Sequence, residues 1–257
     1  MVCMSHIAKE FGRGSVNEKT VFTDFSLTIR KGDFVSVIGS NGSGKTTMLN
    51  LLCGSIPADS GTIEVGGQRI DGLREHQRAR FIGRVFQDPQ KGSCASLTIL
   101  ENMALADNKG GHYFLTSGVN RKRTDAYRAM LEPLGLGLEN HMGVQVGSLS
   151  GGQRQALALL ISTMTPIDLL ILDEHTASLD PRSSETVMEL TEKVVREKRL
   201  TTLMVTHNLR YAVQYGNRLL MMHQGQAVVD VADEEKDSYS VDDLLAIFNE
   251  ISIEVGN

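Results

Sequence analysis

The period of the apolar positions changes several times along the chain. Residues 21–29, VFTDFSLTI, alternate and place Phe25, Leu27 and Ile29 on one face of a half-buried strand. Asp33 to Ile38 is a short, nearly unbroken apolar run, which predicts a buried strand leading into a glycine-rich loop. TTMLNLLCG predicts a helix stopped by Gly54. GTIEVGGQRI reads as a hairpin turning at Gly66-Gly67. From about Leu97 to Leu160 the spacing becomes helical, with Tyr127, Met130, Leu131 and Leu134 at i, i+3, i+4 and i+7. Buried strands return at Leu169–Leu172 and Thr202–Val205, followed by helices around Ser183–Glu197 and Leu209–Tyr215. RLLMMHQGQAVVD predicts a late hairpin, and SVDDLLAIFNEI a final helix capped by Ser240.

Strands alternating with helices imply an α/β core built on a mainly parallel sheet covered on both faces. Antiparallel strands fall near both ends, and the central helical stretch reads as an insertion. Composition narrows the class. The chain has 257 residues, 41% hydrophobic and 22% charged, as in an ordinary globular protein. A net charge of −5 with no long Lys/Arg run leaves nucleic-acid binding unsupported. No apolar stretch approaches the roughly 18 residues of a membrane span, and MVCMSHIAKEFGRG lacks the apolar core of a signal peptide. Cys3, Cys53 and Cys94 are far apart with no CxxC, so reduced, packing thiols of a cytosolic protein are expected.

The first chemical signal is GSNGSGKT, Gly39 to Thr46, placed between a strand and a helix. Gly39, Ser40, Asn41, Gly42, Ser43 and Gly44 would turn backbone N–H groups onto phosphate, with the helix start adding its positive end. Lys45 can reach the β- and γ-phosphates, the Thr46 hydroxyl can ligate Mg²⁺, and Thr47 completes the expected nucleotide-binding set. A second strand, LLIL, ends in two adjacent carboxylates, Asp173 and Glu174. Burying an unpaired carboxylate is costly, so these acids need a cation or a task. Beside a phosphate loop, Asp173 is expected to hold the nucleotide's Mg²⁺ and Glu174 to orient a water. An N-capping pair for the next helix is the blander reading.

LSGGQ, Leu149 to Gln153, precedes an apolar helix. Ser150 and Gln153 form a capping-box pattern. Gly151 and Gly152 make a poor first turn, each costing about 1 kcal/mol against alanine. The alternative is another anion site, one with no lysine of its own.

Taken in order, the phosphate loop, VFQDP around Gln87, LSGGQ, LLILDE, SLD at Ser178–Asp180 and His207 in MVTHN resemble the ATP-binding subunits of ABC transporters. The resemblance covers roughly Phe11 to Asp230. It implies a P-loop NTPase core with an inserted α-helical subdomain: 1–90 and 161–257 as a RecA-like core with a β subdomain, 91–160 as the helical subdomain. It also implies a head-to-tail dimer in which Ser150, Gly151, Gly152 and Gln153 contact the γ-phosphate of ATP bound by the partner, with Asp180 at the seam. Gln87 would touch the metal or the attacking water. His207 would hold the γ-phosphate and water against Glu174, the general base, and Lys45 and Gln87 complete the expected catalytic group. The family's adenine platform is an aromatic residue upstream of the first strand pair, which points to Phe11. The position after the catalytic glutamate is commonly proline in this family; here it is His175, read as a loop variant.

The resemblance further implies Mg·ATP hydrolysis powering transport, with import expected because ATPase and permease are separate chains. The partners would be a second copy or a paralogous ATPase subunit, an integral membrane permease received after Gln87, and an extracytoplasmic substrate-binding protein. The chain would then be cytoplasmic and peripheral on the inner face of the membrane. The wording of DEHTASLDPRSSETVMELT resembles a bacterial group linked to aromatic amino-acid uptake. The alternative is a single-cassette soluble ATPase of an assembly complex. A P-loop kinase would leave LSGGQ and Asp180 unexplained.

Overall fold

The computed structural model describes residues 1–109 and 118–254. In chain order its elements are β1 (Val2–Phe11), β2 (Lys19–Ile29), β3 (Phe34–Gly39), α1 (Lys45–Cys53), β4 (Ser60–Val65), β5 (Gln68–Arg69), α2 (Glu75–Arg78) and β6 (Ile82–Val85). Then follow α3 (Ile99–Asp107), α4 (Thr124–Leu131), α5 (Gly151–Thr163), β7 (Leu169–Asp173), α6 (Pro181–Lys198), β8 (Thr202–Val205) and α7 (Leu209–Gln214). β9 (Arg218–His223), β10 (Gln226–Ala232), α8 (Asp233–Asp237) and α9 (Val241–Glu254) close the chain.

The strands form a six-stranded sheet in the order β10-β9-β3-β8-β7-β6 and a four-stranded sheet in the order β2-β1-β4-β5. In the larger sheet β6, β7, β8, β3 and β9 run parallel, and only the β9–β10 hairpin is antiparallel. The unbroken LLIL run of β7 follows from burial on both faces. Leu169 and Ile171 pack with α1 and the smaller sheet, while Leu170 and Leu172 pack with α5 and α6. Each such side chain contributes about 1.5–3 kcal/mol of burial. A separate apolar cluster joins α3, α4 and the N-terminal half of α5 through Met103, Tyr127, Leu131 and Leu157. Helix α5 belongs to both layers and runs across position 160.

The N-terminal strand β1 carries no clean alternation. Val2 and Met4 point inward, then Ile7 and Lys9 do, because a bulge around His6 (φ +53°) shifts the parity by one. Phe11 is the last residue of β1 and pairs with Lys19 of β2, so it lies within the first strand pair rather than upstream of it, which corrects the expected placement. The stretch from Leu97 to Leu160 is helical in α3, α4 and α5, with 3-10 turns at Glu132–Leu134, Leu138–Asn140 and Val146–Ser148 between α4 and α5; its residues 110–117 lie outside the described residues. Tyr127, Leu131 and Leu134 are buried as their spacing predicts. Ser240 caps α9, accepting from Asp243 N at 3.2 Å while Asp243 Oδ2 accepts from Ser240 N at 2.8 Å. The three cysteines are free thiols.

Candidate functional site

The site lies where the parallel strands end. All six residues of β3 are buried, and the chain leaves the sheet at Gly39, where a Cβ would sit 2.8 Å from Ser43 Oγ. Gly44, at φ +104°, caps α1, and a Cβ there would meet the Phe22 ring at 2.8 Å. Neither position accepts a side chain without displacing its surroundings. Lys45 is buried, and its Nζ donates to Gly39 O at 2.6 Å and Ser40 O at 3.0 Å. Burial holds this ammonium below the usual lysine range, and the charge of Glu174 partly opposes the shift.

Neighbouring strand ends are stitched to the same place. Thr206 N donates to Val37 O at 3.1 Å, and Glu174 N donates to Val205 O at 2.9 Å. Glu174 sits at φ +48°, a left-handed conformation that costs a non-glycine residue on the order of 1–3 kcal/mol. Its Oε1 lies 2.8 Å from His207 Nε2. An ionised carboxylate can only accept, so this nitrogen carries the hydrogen in that pair.

These groups share a cavity of about 290 Å³ lined by Phe11, the loop from Asn41 to Thr47, Glu174 and His207. Phe11 is partly exposed, with the Lys9 ammonium 5.3 Å from its ring centroid. Gly39 and Ser40 lie just behind this cavity, as carbonyl acceptors for Lys45.

A second cavity, of about 470 Å³, contains Thr46, Gln87 and Asp173, with Asn50, Arg84 and Asp88. A hydroxyl, a carboxylate and an amide carbonyl are hard oxygen donors suited to Mg²⁺, which takes one or two protein carboxylates and fills its shell with phosphate and water. Among the described residues there is no cluster of His, Cys, Asp and Glu of the kind a self-contained metal site needs. The donor set therefore fits a cation delivered with a phosphate ligand.

Ser150, Gly151, Gly152, Gln153 and Asp180 form a different group, and none lines either cavity. The expected capping box is present, with Gln153 N donating to Ser150 Oγ at 3.2 Å and Ser150 N to Gln153 Oε1 at 3.1 Å. The glycines face α6 and the turn before it: a Cβ on Gly151 would meet Leu179 at 3.0 Å, and one on Gly152 would meet Ser183 at 3.1 Å. Asp180 caps α6, accepting from Ser183 N at 3.0 Å, and hydrogen bonds from Ser183 hold its carboxyl below the usual range.

Two polar residues at the site escape a motif reading. Arg84 Nη2 donates to Asp173 Oδ2 at 2.7 Å, and Gln155, buried on α5, donates to Phe86 O at 2.9 Å beside Gln87. A lone arginine inside the apolar run FIGRVF is the available signal, because a buried charge requires a partner. His175 is also buried, with Nε2 3.1 Å from Thr191 Oγ1, which tethers the turn after β7 to α6. His175 lines neither cavity.

A phosphate loop at one strand end, with a histidine after the next strand and acids at the end of the one beyond, defines a P-loop nucleoside triphosphatase. Residues 22–177 match the ABC transporter family. The chain is 45% identical over 248 residues to a tyrosine transport ATP-binding protein of Clostridioides difficile, covering 96% of this chain and 98% of that one. It is 34% identical to the lipoprotein-releasing system ATP-binding protein LolD 1 of Caulobacter vibrioides, covering 88% and 94%. Among solved structures, the ADP conformation of the ABC transporter cassette MJ1267 superposes with a TM-score of 0.81 at 25% identity over 98% of both chains. The dimeric, post-hydrolysis cassette MJ0796 with ADP and Pi gives 0.75 at 26% identity over 90% of this chain and 98% of that one. The chain belongs to the ABC transporter family as an ATP-binding cassette, an ATPase coupled to transport.

Proposed function

We propose that this chain pairs with a second copy, or with a paralogous ATPase subunit, around two Mg·ATP and powers import through a separate membrane permease. The observation that carries this reading is the separation of the two anion sites. The phosphate loop, Glu174 and His207 share one cavity, while Ser150–Gln153 and Asp180 gather outside it. A second chain placed head to tail would bring the signature group of each onto the nucleotide of the other. The solved relative described as a dimer supports that arrangement.

In this reading residues 1–90 and 161–257 form a RecA-like core with a β subdomain, and 91–160 form the helical subdomain. Phe11 stacks on adenine. Backbone N–H groups of the loop hold the phosphates, and Lys45 exchanges its carbonyl partners for β- and γ-phosphate oxygens. Thr46, Asp173 and Gln87 would hold the Mg²⁺, which when bound neutralises charge on the phosphates. Glu174 accepts a proton from the attacking water, while His207 fixes its carboxylate and the γ-phosphate. Hydrolysis then rests mainly on positioning and charge stabilisation.

Two relatives matched over nearly their whole length are named as the ATP-binding protein of tyrosine transport and of a lipoprotein-releasing system, which supports a separate permease partner. No helix of the described residues is long and apolar enough to cross a membrane. We assign the chain to the cytoplasmic face of the membrane, with the permease seated on the segment after Gln87 and supplied by an extracytoplasmic binding protein. An aromatic amino acid is the proposed cargo, and the name of the 45% identical relative supports tyrosine.

The test is a tagged pull-down from gently solubilised membranes, with co-purifying proteins identified by mass spectrometry. A polytopic permease is expected. Recovery with soluble partners alone would move the ATPase into a non-transport assembly complex.

A further inference from the structure

Arg84 lies on β6, opposite Ile171 of β7, and its guanidinium reaches along the strand to the last residue of β7. Nη2 donates to Asp173 Oδ2 at 2.7 Å and Nη1 to Asn50 Oδ1 at 3.3 Å, while the guanidinium carbon lies 4.7 Å from the Phe86 ring centroid. Both partners of the ion pair are largely buried, with side chains 15% and 18% exposed. Burial alone would depress this guanidinium, but Asp173 and Cys53 outweigh it and hold the group above its ordinary value. Among the described residues, Oδ1 of Asp173 has no hydrogen-bond partner. One carboxylate oxygen is thus committed to Arg84 and the other is open to the cavity.

A largely buried ion pair is no more stabilising than well-packed apolar residues would be, so stability alone does not account for an arginine inside β6. Its electrostatic effect is specific. The charged side chains lining the cavity are Asp173 and Asp88 against Arg84 and Lys91, so a pocket that would hold a divalent cation has no formal excess of negative charge.

We infer that Arg84 is a positioning residue of the metal site: it orients Asp173 and, by its charge, raises the Mg²⁺ concentration the site requires. The inference rests on the Mg·ATP reading above. It assigns this chain a cation affinity set by the balance between two carboxylates and two cationic side chains, and adjustable at a single position on β6.

The experiment uses the full chain with a fluorescent, non-hydrolysable ATP analogue, its binding followed in EDTA and then across a Mg²⁺ titration. Thermal melts first establish that Arg84→Met, Arg84→Gln and Arg84→Lys are folded. Arg84→Met and Arg84→Gln should bind the analogue in EDTA like the parent, and their half-saturating Mg²⁺ should fall by at least about threefold, because a like charge beside the cation has been removed. Arg84→Lys, which keeps the charge, should stay close to the parent. Arg84→Gln keeps a hydrogen-bond donor for Asp173, so a fall in that variant isolates charge from geometry. An unchanged or raised Mg²⁺ requirement in both neutral variants would overturn the inference. A parent chain that binds no analogue under either condition would instead overturn the nucleotide-site reading beneath it.

Discussion

Replacing Glu174 by glutamine is the sharpest test of the proposed chemistry. The substitution keeps size and shape, and the backbone needs nothing new: Glu174 N still bonds to Val205 O at 2.9 Å, and its carbonyl still accepts from Ala177 N at 2.9 Å. Glutamine bears the same cost at φ +48° as glutamate. Stability should therefore change by less than about 1 kcal/mol. The amide oxygen can still accept from His207 Nε2, now 2.8 Å from the carboxylate, so the histidine keeps its place. What disappears is a proton acceptor and one negative charge facing the phosphate site. Loss of general-base assistance slows turnover about 10²- to 10⁴-fold, equivalent to about 3–5 kcal/mol of barrier. ATP binding should be equal or tighter, since Lys45 loses the carboxylate that shares its charge. Phosphate release measures the first effect, a fluorescent ATP analogue the second, and gel filtration with ATP should show accumulated dimers. Turnover within about fivefold of the parent would refute Glu174 as the base. Equal loss of binding and turnover would show that its role is structural.

The two-chain site predicts complementation: Lys45→Ala and Gly151→Asp should each be inactive alone, yet their mixture should regain activity, because a mixed dimer contains one intact pairing of phosphate loop and signature. Persistent inactivity on mixing, with mixed dimers present, would count against the head-to-tail arrangement. Gly44→Ala should cost at least about 2 kcal/mol of stability, because φ +104° and a Phe22 ring 2.8 Å from the new Cβ oppose it together; a denaturation midpoint equal to the parent's would refute the strain argument. His175, pushed by burial down to about 4, stays neutral when folded while the unfolded chain takes up a proton below about 6.5. Folded stability from this group is therefore lost as pH falls from about 6.5 to about 4, by up to roughly 3 kcal/mol. Melting curves of the parent and His175→Gln should diverge over that window in favour of the variant, and parallel curves would refute the assignment.

Elements with one uninterrupted period were legible in the sequence. β3, β7 and β8 are buried almost throughout, β2 alternates from Phe25 to Ile29, and the turns at Gly66-Gly67 and Gln224-Gly225 place positive φ where their hairpins need it. β1 was hidden because the His6 bulge moves its inward set from even to odd positions. β6 was hidden for another reason: Gly83, whose missing Cβ lets Ser162 O approach, and Arg84 interrupt a run only four residues long. The contiguous motifs of the candidate site could be read because their residues are neighbours in the chain. Partners distant in sequence could not: Arg84 with Asp173, Gln155 with Phe86, and His175 with Thr191 are set by sheet order and helix packing.

The adjacent carboxylates that close β7 illustrate how such partners divide the work. Asp173, still in the strand, turns toward β6 and enters the cavity with Thr46 and Gln87. Glu174, one residue on, leaves the strand in a left-handed conformation and enters the cavity with Lys45 and His207. Thr46 lines both cavities and marks their boundary at the start of α1. Two residues at a single strand end thus enter two different cavities, which the proposed reading gives to a water and to a cation on either side of the γ-phosphate. The environments also differ: Asp173 has a guanidinium at 2.7 Å and Glu174 an imidazole at 2.8 Å. In the proposed reading, Arg84 on β6 and His207 after β8 give the two acids different neighbours, one beside the proposed metal site and one beside the proposed water.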